Sequence, residues 1–116
     1  MATVSSHTLD SISGGSAVGI RVVLYKLSDE GGKQKIFDVT SDEEGRVDET
    51  VDPGRADKSA QYELVFHSAD YFAALDMPVA NHSFMKTVVL RFTMADRNKC
   101  YHMPITLAPH SYSVCW

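Results

Sequence analysis

The chain has 116 residues, with 15 acidic against 11 basic side chains and a formal charge of −4. Apolar residues make up 44% and charged ones 22%, the balance of a soluble globular domain, and this length fits one domain over residues 1–116 that buries roughly two thirds of its unfolded surface. No Lys/Arg run or basic stripe is present, which argues against a nucleic-acid partner, and no apolar run approaches the roughly 18 residues of a membrane span.

The first residues, Met1 to Ser6, carry neither a basic region nor an apolar stretch, so no secretory signal is expected. Farther on, Ile20, Val22 and Leu24 alternate with Arg21, Val23 and Tyr25, a period of two that predicts a strand. Ser28 to Lys33 breaks that run as a hairpin loop does, and Gln34 to Thr40 reads as its returning strand. Ser41 to Arg46 reads as a turn, and Asp48 to Ser59, with Pro53-Gly54, mostly as loop. Tyr62, Leu64 and Phe66 mark the next half-buried strand.

One helix is predicted after it. Ser68 is placed as its N-cap, Asp70 lies in the first turn where its charge suits the helix dipole, Phe72 and Leu75 share a face, and Met77-Pro78 ends it. Phe84 to Thr93 reads as a long strand; Tyr101 to Leu107 and Ser111 to Cys115 follow as short ones, separated by Ala108-Pro109-His110. Seven or so strands with turns between them give an all-β fold, a sandwich with a single small helix.

Chemistry-bearing residues are few. Ser6-His7-Thr8-Leu9-Asp10 and Tyr101-His102-Met103-Pro104 place a histidine near each end, and Glu44-Gly45-Arg46 places an arginine after a turn glycine. Imidazole exchanges protons near neutral pH, and a guanidinium holds a planar anion with two hydrogen bonds. His7, Arg46 and His102 together suit hydrolysis of a cyclic amide or urea-type bond with no metal or cofactor. Taken alone, each histidine is more often a surface or hydrogen-bonded core residue and the arginine more often a solvated charge, and spacing does not decide. The remaining histidines, His67, His82 and His110, form no ligand pair with zinc spacing, so no metal is expected. Cys100 and Cys115 lack a Cys-x-x-Cys partner and read better as two reduced thiols in an intracellular protein than as a disulfide.

Four stretches carry a resemblance. Ser6 to Asp10 resembles the Thr-His-Val-Leu-Asp of the transthyretin-like 5-hydroxyisourate hydrolases, and Ser41 to Arg46 their Thr-Asp-x-x-Gly-Arg turn. Leu64-Val65-Phe66 with Tyr71-Phe72 resembles their strand-then-helix segment. Tyr101 to Pro109 with Tyr112-Ser113 resembles their Tyr-His-Val-Pro-Leu-Leu-Leu-Ser-Pro and Tyr-Ser. The resemblance implies a transthyretin-like (prealbumin-like) sandwich of two four-stranded sheets, its helix between the fifth and sixth strands. It also implies a homotetramer with sites in a channel between dimers, and hydrolysis of 5-hydroxyisourate in urate (purine) catabolism without a cofactor. Carried over by motif, His7 and His102 handle water and its proton, and Arg46 orients the anionic substrate. The family's terminal Tyr-Arg falls on Cys115 and Trp116, so Cys115 takes the place of a substrate-contacting tyrosine. A catalytically impaired ligand-binding module, of the kind transthyretin is, is the alternative. The implied compartment is the cytoplasm, with the peroxisome also open.

Overall fold

The computed structural model describes residues 1–53, 59–75 and 84–116. Among these, ten strands and one helix follow in order: β1 (Ala2–Asp10), β2 (Gly15–Ser16), β3 (Arg21–Leu27), β4 (Lys33–Thr40), β5 (Arg46–Val51), β6 (Gln61–Phe66), α1 (Ser68–Ala74), β7 (Val88–Thr93), β8 (Cys100–His102), β9 (Ile105–Leu107) and β10 (Tyr112–Val114). They build two sheets. The second is the antiparallel series β4-β3-β6-β7. The first has six strands in four lines, because β1 is flanked on one side by β5 and then β2, and on the other by β8 and then β9, with β10 beyond β9.

Period-two alternation sets both layers. Val22 and Leu24 of β3, Tyr62, Leu64 and Phe66 of β6, and Ile105 and Leu107 of β9 all face the interior, where Val4, Ile20, Phe72 and Val88 join them in one core. Fully burying a side chain of this size stabilises the fold by about 1.5–3 kcal/mol relative to exposure. On the other side of the second sheet, Glu63 is buried yet charged. Lys33 Nζ lies 2.9 Å from one of its oxygens and Arg91 Nη2 3.0 Å from the other, and these two cations hold its carboxyl below the usual range.

β1 itself has an unusual interior side. Ala2 and Val4 are apolar, but Ser6, Thr8 and Asp10 follow at the same phase and are also buried. Each is satisfied, as a buried polar group must be. Ser6 Oγ donates to the Met103 carbonyl at 2.7 Å. Thr8 Oγ1 lies 2.9 Å and 2.8 Å from the Ala17 and Gly45 carbonyls, between which it shares its one proton. Asp10 Oδ1 accepts from the backbone of Ile12 and Ser13 at 2.8 and 3.2 Å, while Asp10 Oδ2 accepts from the Tyr71 hydroxyl at 3.0 Å. The last bond ties α1 to the end of β1. Two motif residues, Asp10 and Tyr71, thus turn out to hold each other.

Several sequence expectations are corrected. Asp48 to Val51, the first part of the expected loop, is strand: β5 runs to Val51 and pairs with β1 along its length, with Val47 and Val51 buried. Two valines in a polar run leave little local signal, so long-range pairing decides. Phe84 is 96% exposed and the strand expected from it starts at Val88. Tyr101 to Leu107 is two strands rather than one. The break falls at Pro104, which has no N–H for the ladder. Ser68 is the first helical residue and not the N-cap. His67 stands at the cap without a side-chain bond, and Ser68 Oγ is buried with no hydrogen-bond partner. Phe72 is buried as expected, but Leu75 is 49% exposed, because the helix ends at Ala74 before Leu75 can turn inward. Gly54, the expected Met77-Pro78 terminator and His82 lie outside the described residues.

Burial first, and the bond to Asp10 second, push the Tyr71 phenol up to about 12 from 10.0. The folded state therefore keeps that proton longer than the unfolded chain does. The contact contributes fully below the unfolded value and is lost as pH rises from 10.0 to about 12. Tyr71→Phe should cost about 1 kcal/mol in urea denaturation at neutral pH. The gap between variant and wild type should narrow across that alkaline window.

Candidate active site

β1 alternates inward and outward, and its outward residues are Thr3, Ser5, His7 and Leu9. The strand register carries that face across the first sheet. His7 is directly opposite Arg46 of β5, Ser5 lies between Asp48 of β5 and His102 of β8, and Thr3 lies between Thr50 and Cys100. The two histidines and the arginine, remote in sequence, therefore share one open face. Opposed side chains such as His7 and Arg46 have Cβ atoms about 5 Å apart. His7 and His102 sit one strand and two residues apart, roughly 8 Å between Cα atoms.

The fourth expected residue falls on the same face. Cys115 N donates to the Pro104 carbonyl at 3.3 Å, extending the β10–β9 register by one pair. Pro104 in turn continues the parallel register at His7. Arg46, His7, Pro104 and Cys115 thus form a row across four strand lines, with Cys115 about 10 Å from His7 at ordinary strand spacing. Both cysteines are free and exposed. Trp116 is 97% exposed and is among the residues at a groove of about 950 Å³ between β7 and the β8–β10 edge. That groove includes Arg91, Tyr112 and His102 but neither His7 nor Arg46. It meets the face of the candidate site residues at His102 and Cys100.

A tight turn presents Arg46. Gly45 adopts φ +75°, and a Cβ there would stand 2.5 Å from the Thr8 carbonyl oxygen. Only glycine permits both that conformation and that approach. The approach lets Thr8 N donate to the Gly45 carbonyl at 2.7 Å and so fixes the turn against β1. Asp42 braces the other side. Its Oδ1 accepts from Glu44 N and Arg46 N, each at 2.9 Å, and Asp42 N donates to the Arg46 carbonyl at 3.0 Å. The Arg46 amide first, then that of Glu44, holds the Asp42 carboxyl below its ordinary value, with the charges of Arg46 and His7 adding to it. The Arg46 side chain is half exposed, and its one ion-pair contact among the described residues, Glu44 at 3.7 Å, is a weak surface pair. Its guanidinium is available to a ligand.

His102 is oriented by a neighbour that sequence reasoning missed. Ser5 Oγ lies 2.8 Å from His102 Nδ1 and 3.8 Å from Cys100 Sγ. The signal was present in the alternation, since Ser5 stands two residues before His7 and Cys100 two before His102. Asp48, opposite Ser5, was missed for the same reason that β5 was. His67 flanks the helix, 3.9 Å from Asp70, away from this face. Among the described residues, no three His, Cys, Asp or Glu side chains are grouped to hold a metal ion.

The HIUase/Transthyretin family model matches residues 4–115. The chain belongs to this family. Among relatives, 5-hydroxyisourate hydrolase 2 of Rhizobium meliloti is 36% identical over 110 residues, covering 95% of this chain and 91% of its own length. The 5-hydroxyisourate hydrolase of Pseudomonas aeruginosa is 34% identical over 114 residues, covering 97% and 89%. In structure, the 5-hydroxyisourate hydrolase of Klebsiella pneumoniae matches with a TM-score of 0.76 at 25% identity, over 99% of this chain and 97% of that one. (S)-allantoin synthase matches with a TM-score of 0.79 at 26% identity; it covers 98% of this chain, which spans 43% of that longer protein. The family and the transthyretin-like sandwich inferred from the motifs are both borne out.

Gly45→Ala should lower stability by at least about 1–2 kcal/mol, the cost of left-handed backbone in a residue with a Cβ. The clash with Thr8 adds to it. Denaturant melts against wild type measure this, and an unchanged midpoint would mean that the turn relaxes freely.

Proposed function

We propose that this protein hydrolyses 5-hydroxyisourate to 2-oxo-4-hydroxy-4-carboxy-5-ureidoimidazoline in urate catabolism, the activity named for its relatives. The observation that carries the reading is the register of the first sheet, which sets His7, Arg46 and His102 on one face of a chain in this family. In the reaction, water adds to the ring carbonyl and gives its proton to an imidazole. The bond from that carbon to the ring nitrogen then breaks, the nitrogen takes a proton back from imidazolium, and a carboxylate is left. A positioned base of this kind contributes about 10²–10⁴-fold. Arg46 binds the anionic substrate and stabilises charge developing on oxygen. His7 and His102 flank the reacting carbonyl, and Cys115 contacts the substrate's far side. No step calls for a cofactor.

The same reading includes a homotetramer. Its support is the shape of the site, a flat row of residues that needs a wall to exclude water. Among the described strands, the edge strands β7 and β10 each pair on one side only, and they carry exposed Val89 and Tyr112, which fits association through edges. No helix among the described residues is long and apolar enough to cross a membrane, and a cytoplasmic location belongs to this proposal.

Purified protein should accelerate the loss of freshly generated 5-hydroxyisourate, followed by its ultraviolet absorbance. Decay at the buffer rate would reject the hydrolase reading in favour of a ligand-binding module. His102→Ala and Arg46→Ala should each lower kcat/KM about 100-fold or more, with the sedimentation coefficient unchanged. Loss of assembly instead would make the residue structural. Cys115→Ala should raise KM about threefold, the loss of one weak hydrogen bond. Unchanged kinetics would remove Cys115 from the site.

A further inference from the structure

The hydroxyls of β1 divide into two kinds. Those facing inward bond to backbone: Ser6 Oγ donates to the Met103 carbonyl, and Thr8 Oγ1 lies against the Ala17 and Gly45 carbonyls. Ser5 faces the other way and engages side chains, the His102 imidazole at 2.8 Å and the Cys100 thiol at 3.8 Å. It is only 9% exposed although it lies on the open face. Its backbone is pinned by Met103 N, which donates to the Ser5 carbonyl at 2.9 Å. A fixed main chain and flanking side chains leave the hydroxyl little freedom. Nothing in the motifs that point to His7, Arg46 and His102 requires a serine at this place.

The chemistry of the pair is constrained. A neutral imidazole has one N–H and one basic nitrogen, and the partner of the first sets which nitrogen is the second. A hydroxyl accepts and donates at once. If Ser5 Oγ accepts from Nδ1–H, its own proton can point at the Cys100 sulfur, a weak acceptor within reach, and Nε2 is left bare toward the open face.

We propose that Ser5 is a positioning residue that accepts the Nδ1 proton of His102 and thereby presents Nε2 as the base of the site. This rests on the hydrolase reading for its catalytic consequence and not for its geometry. When Nε2 takes the proton from water, His102 becomes imidazolium, and the Nδ1–H···Oγ bond becomes a charge-assisted one, shorter and stronger than before. Ser5 thus stabilises the charge that develops during the step. No net proton passes through it, and the proton on Nε2 returns to the leaving nitrogen.

Imidazole nitrogen NMR of ¹⁵N-labelled protein reads the tautomer directly, and turnover of 5-hydroxyisourate reads its consequence. Neutral His102 in the wild type should show a protonated Nδ1 and a bare Nε2. In Ser5→Ala that tautomer should no longer be fixed, and kcat should fall about tenfold, the loss expected of one hydrogen bond to a charged group, with KM unchanged. Ser5→Thr, which keeps the hydroxyl, should restore both signals. A wild-type His102 protonated at Nε2 would overturn the inference. So would a Ser5→Ala protein that keeps both the tautomer and kcat, or a Ser5→Thr protein that restores neither. Absence of turnover by the wild type would instead overturn the hydrolase reading, and with it the catalytic role of Ser5, while the nitrogen spectrum would still report whether Ser5 sets the tautomer.

Discussion

Everything at the candidate site depends on the ladder of β1. This strand pairs on both sides, antiparallel with β5 and β2 and parallel with β8 and β9, so the nearby β2, the mid-chain β5 and the late β8 and β9 are all in register with nine consecutive residues. A shift of one residue anywhere in that pairing would turn His7 or His102 into the core. The inward side of β1 guards against such a slip. Ser6, Thr8 and Asp10 each meet specific partners, and a one-residue slip would turn all three outward and break these bonds, worth about 0.5–1.5 kcal/mol each.

The polar lining also explains why fold and site are hard to separate here. Thr8 is the hub: its amide and hydroxyl meet Gly45, and its carbonyl accepts from Ala17. The same carbonyl blocks any Cβ at position 45. The turn that carries Arg46 is therefore seated on β1 at the next residue after His7. Asp42 supplies a second set of bonds from within the turn. The arginine is held by backbone geometry at both ends while its side chain stays free, the arrangement that binding a mobile anionic ligand calls for.

How much of this was legible depended on where each residue's partners lie. The core strands β3 and β6 were plain from alternation because their inward residues are all apolar. β1 and β5 were not, since hydroxyls and carboxylates occupy their inward or neighbouring positions and only cross-strand pairing makes strands of them. The helix was found, but not its N-cap, because the hydroxyl of Ser68 goes inward and the cap position falls to His67. His7, Arg46 and His102 were nameable from motifs, yet their shared face is a property of register, which no local pattern contains. Ser5 was missed because its significance lies in an imidazole 97 residues away.

Cys115 and Trp116 sit just past the final, three-residue edge strand, held by Val114 in the core periphery and by one amide bond to Pro104. Neither side chain is among the residues of the hydrophobic core. A lineage can exchange the chemistry at this rim one residue at a time, while the face that carries His7, Arg46 and His102 stays locked in the strand pairing beneath.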